Sequence, residues 1–190
     1  EHEKLELNVT DFGKMIPRAI HAMYKRGVDE LKIVYNEPQY FDLIRNSLGK
    51  EAVGFEILKT GKKYCIITSV VESSKEFSKV LNQTFILLLS MAEDGYDTIK
   101  QCNINKLHNL ISLEEANNRF TTFCRRYLNK KGYGYFDKLG PMYYIVEMLE
   151  KIADQYKYFY RYLLDFGKDK IIVNKELLSS FHEINIMLRK

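Results

Sequence analysis

Apolar and polar residues alternate at a period of two along the first part of the chain and at three- and four-residue steps along the rest. Leu5, Leu7 and Val9 alternate with Lys4, Glu6 and Asn8, the pattern of a half-buried strand. Asp11 is placed to cap a helix that carries Met15, Ile16, Ala19, Ile20 and Met23 on one face and ends at Gly27. Pro17 fits that helix if regular structure starts late or bends there. Residues 30–35 (ELKIVY) read as a second strand. Asn36-Glu37-Pro38 then opens a short helix bearing Tyr40, Phe41, Leu43, Ile44 and Leu48. Residues 52–58 and 63–69 read as two more strands, joined by the hairpin loop Lys59-Thr60-Gly61-Lys62. The predicted order is β-α-β-α-β-β.

After Glu72-Ser73-Ser74 the period lengthens to about three and a half residues. The change predicts a boundary between Val71 and Lys75, with a small α/β sandwich domain over 1–73 and a helical domain over 74–190. Phe77, Val80, Leu81, Thr84, Leu88, Met91 and Ala92 form the face of a first long helix closing near Lys100. A second helix runs from about Ile104 to Lys131 with Leu107, Leu110, Leu113, Ala116, Phe120, Phe123 and Tyr127 as its stripe. The third spans Gly140 to Leu164 (GPMYYIVEMLEKIADQYKYFYRYLL), with Pro141 in its first turn. A weaker fourth covers Lys175 to Leu188. Short loops between long helices favour antiparallel packing, so the fold class is α+β, a small sheet domain followed by a helical bundle.

Composition narrows the class of protein more than it identifies it. The chain has 190 residues, with 29 Lys and Arg against 25 Asp and Glu, and both signs are dispersed, which by itself does not imply nucleic acid. Three cysteines, Cys65, Cys102 and Cys124, have no C-x-x-C spacing and read as reduced, buried thiols. The longest apolar run, Phe85 to Leu89, is far below the roughly 20 residues of a membrane span. A soluble, cytoplasmic protein is expected. The chain opens at Glu1 almost directly into a strand pattern, so it is expected to be part of something longer.

Chemistry is sparse. Asp165-Phe166-Gly167 spells the metal-binding triplet of kinases, but no Gly-rich loop or catalytic-loop motif accompanies it, and a helix-end turn is expected. His2, His21, His108 and His182 lack zinc spacing. The run Tyr156 to Tyr162 could stack bases beside cations, yet helical spacing puts Tyr156, Phe159 and Tyr160 on the core stripe and leaves Lys157 and Arg161 outside. Arg125, Arg126, Lys130 and Lys131 could hold phosphate, although cations complementing a helix C-terminus are commoner. Two oxygen-bearing pairs remain, Glu114-x-x-x-Asn118 and Glu150-x-x-x-Asp154. Antiparallel helices could bring them together as a site for a divalent or ferric ion. The alternative pairs Glu147 with Lys151 and Asp154 with Lys157, and on these residues alone it outweighs the metal site.

Leu149-Glu150-Lys151-Ile152-Ala153-Asp154 resembles the L-E-R-I-A/G-D signature on the last helix of the PhoU three-helix repeat, found in phosphate-uptake regulators. Glu114 to Arg119 (EEANNR) is similar to the companion acidic motif on the preceding helix. The β-α-β-α-β-β segment resembles that of archaeal PhoU-domain proteins, in which an AbrB-like DNA-binding domain lies further N-terminal. The resemblance covers about residues 4–165. It implies one three-helix repeat plus a C-terminal helix, and a non-enzymatic regulator of phosphate uptake and signalling. It also implies a homodimer, a phosphate transporter or sensor kinase as partner, and DNA contact through a region outside this chain. Carried over by position, Glu114, Glu150 and Asp154 match the metal pattern, while Asn118 stands where the pattern has aspartate. One repeat is present where typical members have two. The rival classes are a nucleic-acid-binding transcriptional regulator fragment and, further off, a carboxylate-metal enzyme, which would want a Glu-x-x-His motif that is absent here.

Overall fold

The computed structural model describes residues 2–49, 51–70, 77–166 and 175–189. The expected boundary between Val71 and Lys75 lies outside them, as does Gly167. The described chain is a mixed α+β protein, a four-stranded sheet with its helices followed by long helices. It divides into two compact units. One comprises residues 1–80 and 122–143, the other residues 81–121 and 144–190.

In the first unit the strands are β1 (Lys4–Asn8), β2 (Glu30–Val34), β3 (Phe55–Thr60) and β4 (Tyr64–Ser69), in the order β1-β2-β4-β3. β1 and β2 are parallel, with Leu7 opposite Ile33, and β4 is antiparallel to both β2 and β3. Parallel neighbours need a crossover, and helix α2 (Ile16–Arg26) lies in it. Alternation does what it predicts in β2 and β4, where Leu31, Ile33, Cys65 and Ile67 are fully buried. They pack with Ile16, Ile20 and Tyr24 of α2 and with Ile44 of α3 (Gln39–Leu48). On the alternate positions, Lys4 pairs with Glu30 and Lys32 with Glu6 across neighbouring strands. A bulge between Ile57 and Lys59 leaves Leu58 exposed.

Asp11 does not cap the helix after β1. Asn8 caps a single turn, α1 (Val9–Phe12), by accepting from the Thr10 amide, and a 3-10 turn (Gly13–Met15) follows. Regular helix then starts at Ile16 with Pro17 in its first turn, where a missing N–H costs nothing. Gly27 ends α2 in the left-handed region at φ 107°, a conformation that costs other residues strain.

The long helices are α4 (Phe77–Lys100), α5 (Leu107–Lys131), α6 (Phe136–Phe166) and α7 (Lys175–Arg189). The third predicted helix starts a turn earlier than expected, so Pro141 is inside it rather than in its first turn. Asp165 and Phe166 continue that helix rather than forming a turn. In the second unit, Leu88, Met91, Ala92, Leu107, Leu149, Ala153, Tyr160 and Phe181 share a core. Asn185 bridges it, donating to the Ala92 carbonyl and accepting from the Tyr156 hydroxyl. Tyr96 packs on His182 while Glu93 pairs with Arg189, so α7 runs antiparallel to α4. Among the described residues no helix is long and apolar enough to cross a membrane.

Helix α5 departs from its apolar pattern. Its buried positions beyond Leu110 include Glu114, Asn117, Thr121, Cys124 and Leu128, each one residue on from the predicted stripe of Leu113, Ala116, Phe120, Phe123 and Tyr127, together with Thr122, Arg125 and Arg126. One residue is about 100° of helix rotation. The predicted apolar positions are consequently half-buried, while a polar row faces inward. Polar partners compensate part of this inversion: Glu114, Thr121 and Arg126 each bond to groups on other elements, whereas the Asn117 side chain has no hydrogen-bond partner among the described residues. Cys65 and Cys124 are buried, and burial lifts their thiols to about 11 and about 12. Cys102, in contrast, is exposed in a turn with φ 56°.

Candidate functional site

Two polar clusters stand out, one in each unit. The helical one contains the residues that the motifs single out. Lys157 Nζ donates to Glu114 Oε1 at 2.8 Å and to Asp154 Oδ1 at 2.5 Å. Asn118 Nδ2 donates to the same Glu114 oxygen at 2.5 Å. Glu150 Oε2 is turned elsewhere, accepting from Thr121 Oγ1 at 2.9 Å. Glu114, Asn118 and Asp154 are therefore gathered around an ammonium, and Glu150 is held one turn away.

The register of the two helices explains the division. Glu114 meets Lys157 and Thr121 meets Glu150, so seven residues forward on α5 match seven back on α6. That is antiparallel packing. Direct confrontation of the acidic pairs would put Glu114 opposite Asp154 and Asn118 opposite Glu150. The observed register differs by three residues, about 4.5 Å along the axis, and brings the lysine level with Glu114 instead. Helical spacing alone leaves Lys157 outside the core, but its side chain is only 11 % exposed. Its stem can lie along apolar surface while its head meets the carboxylates. Burial works to lower the Lys157 pKa, but the bonds to Asp154 and Glu114 and their charges outweigh it and hold the pKa above its ordinary value.

A metal ion wants several oxygen acceptors converging on one point. Here Lys157 and Asn118 both present N–H donors to Glu114, and Glu150 is committed to a hydroxyl. An Asn118 flip would set its amide oxygen against a carboxylate oxygen, so the chemistry favours Nδ2 as the group on Glu114. Its Oδ1 is buried without a hydrogen-bond partner among the described residues. No group of three or more His, Cys, Asp or Glu able to hold a metal occurs among the described residues. As arranged, the donor set suits an ammonium better than a metal.

The second cluster centres on Asp29, 1 % exposed. Arg126 donates to its Oδ1 at 3.1 Å, Lys130 pairs with the same oxygen, and the Glu3 amide donates to Oδ2 at 3.0 Å. Arg126 also donates to the carbonyls of Tyr24 and Val28 at 3.0 and 2.6 Å. Its guanidinium lies 4.9 Å from the Tyr24 ring centroid and 5.4 Å from that of Phe55. Burial would raise the Asp29 pKa, but Lys130, the Glu3 amide and Arg126 together hold it below the ordinary carboxylate value. The sequence pattern expects Arg126 and Lys130 to face their own helix C-terminus or an anion. They satisfy instead a buried aspartate and the carbonyl end of another helix. Sequence could have flagged Asp29 as a charge directly before an alternating strand, but nothing local names its partners nearly a hundred residues on.

Comparison with known proteins finds no matching family model, no matching curated protein and no matching solved structure.

Proposed function

We propose that this chain is a PhoU-like regulator of phosphate uptake and phosphate signalling. In this reading it acts in the cytoplasm, as a homodimer and without catalysis of its own, through contact with a phosphate transporter or its sensor kinase. The observation that carries the reading is that the helices bearing the two acidic motifs pack antiparallel, joined by Glu114–Lys157 and Thr121–Glu150. The order of elements, a mixed β-α-β-α-β-β segment followed by long helices, supports it as well. Removing the gene and measuring uptake of labelled phosphate in phosphate-replete cells tests it. Uptake should rise; unchanged uptake would refute the reading. Unchanged uptake together with steeply salt-dependent DNA binding would favour the nucleic-acid regulator instead.

Association rests on a second observation. Tyr156, Phe159 and Phe181 line an apolar groove of about 620 Å³ along α6 and α7, and Leu177, Ile184 and Met187 are 47 %, 52 % and 64 % exposed at its edge. A second copy of the chain covers this surface in the proposed dimer. Light scattering at micromolar concentration should give twice the chain mass, and a monomer would exclude the dimer.

A further inference from the structure

We infer that the Lys157 ammonium is the resident cation of the helical unit, so that the Glu114–Asp154 cluster of the native protein takes no metal ion. The inference rests on the reading above insofar as that reading identifies the acidic motifs as cation-holding ones.

Charge and reach both point to the lysine. Glu114 is 6 % exposed, and an isolated carboxylate that deep is strongly disfavoured unless a cation and hydrogen bonds compensate it. Asp154 stands beside it on α6, and two such carboxylates repel each other. A family resemblance alone would have a divalent ion bridge them. Here α6 supplies the bridge three residues beyond Asp154, because i and i+3 side chains share a helix face. Lys157 Nζ reaches both carboxylates at once. The three-residue displacement of the helices makes this possible, since it sets Lys157 rather than Asp154 level with Glu114. Asn118 fits the same scheme. It stands where the motif has aspartate, and its amide adds a donor to Glu114 where an aspartate would add a third negative charge. An ammonium supplies one positive charge rather than two, so a site with one carboxylate fewer is balanced by it more nearly. Lysine and asparagine are matched departures from a metal site, and each makes sense given the other.

The test removes the internal cation and asks whether an external one replaces it. Lys157→Met keeps the stem and deletes the charge, leaving oxygen acceptors of the kind hard divalent cations prefer. Thermal unfolding is followed for the native chain and K157M with magnesium, calcium or manganese alone. The variant should melt below the native chain. A cation present at roughly 100 times its dissociation constant should raise the variant's midpoint by about 5–10 °C and leave the native midpoint unmoved. A variant that folds only with the cation present supports the inference equally. Equal response of both proteins, or no response of a folded variant, would overturn it. The native protein supplies an independent arm, in which metal content is measured after dialysis against manganese or iron. One ion per chain, lost on Glu114→Gln, would also overturn the inference, whether or not K157M folds. Neither arm reads phosphate uptake. A metal-loaded native protein would leave the regulatory reading standing, and unchanged uptake on gene removal would leave the ammonium in place.

Discussion

Replacing Arg126 by alanine should be among the most damaging single changes in the first unit. Arg126 is 6 % exposed, and its guanidinium donates to three acceptors, the Tyr24 and Val28 carbonyls and the buried Asp29. Breaking a buried charge pair by deleting one partner costs about 3–5 kcal/mol. Asp29 keeps Lys130 and the Glu3 amide, which sets its share near the low end. The two carbonyls left without the guanidinium add of order 1 kcal/mol each, so the expected total is about 5 kcal/mol. Domains of this kind have stabilities of about 5–15 kcal/mol, so the fold should be markedly weakened without being abolished. Arg126→Lys should recover part of the loss, because an ammonium on a shorter reach cannot serve three acceptors from a planar fork. Urea unfolding followed by circular dichroism measures both, and hydrogen exchange of the β2 amides localises the effect. If part of the cost is the uncompensated Asp29 charge, Asp29→Asn in the alanine background should restore stability. An alanine variant within about 0.5 kcal/mol of native, or a lysine variant equal to native, would refute the reasoning.

Three further outcomes follow from the same geometry. His21 sets one ring nitrogen 3.0 Å from the Ser47 carbonyl and the other 3.2 Å from Glu51; burial and Lys25 lower its pKa, but Glu51 and the Ser47 carbonyl raise it more, to a net value above 6.5. A raised folded pKa means this stabilisation is complete below pH 6.5 and is lost as pH rises through the folded value, so urea midpoints should fall across that window and Glu51→Gln should flatten the fall. Asp29, held below its ordinary 3.8, has the opposite sign: its contribution is present above that pH and lost as pH falls through the folded value, and Asp29→Asn should be the less acid-sensitive protein in a pH series of thermal melts. Gly95→Ala should destabilise although alanine favours helices by about 1 kcal/mol, because the new Cβ would fall inside the buried Tyr160 phenol, whose hydroxyl bonds the Met91 carbonyl; overpacking costs about 1–3 kcal/mol, and a raised melting temperature would contradict this.

The elements with a strict period were legible in the sequence. β2 and β4 alternate because one face packs under α2 and α3, and α4 buries Phe77, Thr84, Leu88, Met91 and Ala92 on the face that its pattern marked. The caps were less legible. Asn8 and Asp11 are both plausible N-caps; Asn8 caps the single turn α1, while α2 begins at Ile16 with Pro17 in its first turn and no side-chain cap. Nothing in the pattern announces that residues 122–143 belong with the first unit. The contacts responsible, Arg126 to Asp29 and Asn129 to the Lys25 carbonyl, join residues about a hundred positions apart, and a period carries no information at that range.

The site was legible as a set of residues and illegible as an arrangement, for a reason that α5 makes concrete. Hydrophobic periodicity assumes that what is buried is apolar. On α5 the assumption fails by one residue, because Glu114, Asn117 and Thr121 are buried while Leu113, Ala116 and Phe120 are half-buried. Two of these polar residues find partners inside, Glu114 with Lys157 and Thr121 with Glu150 on α6, while the Asn117 side chain has no hydrogen-bond partner among the described residues. The same rotation that misplaces the stripe therefore selects the helix register, and the register decides which cation meets Glu114. The i, i+3 spacing already pairs Lys157 with Asp154, as the structure has it; allowing α5 a polar seam would have been enough to add Glu114. The apolar stripe and the solvated lysine share one false assumption, applied once to each helix.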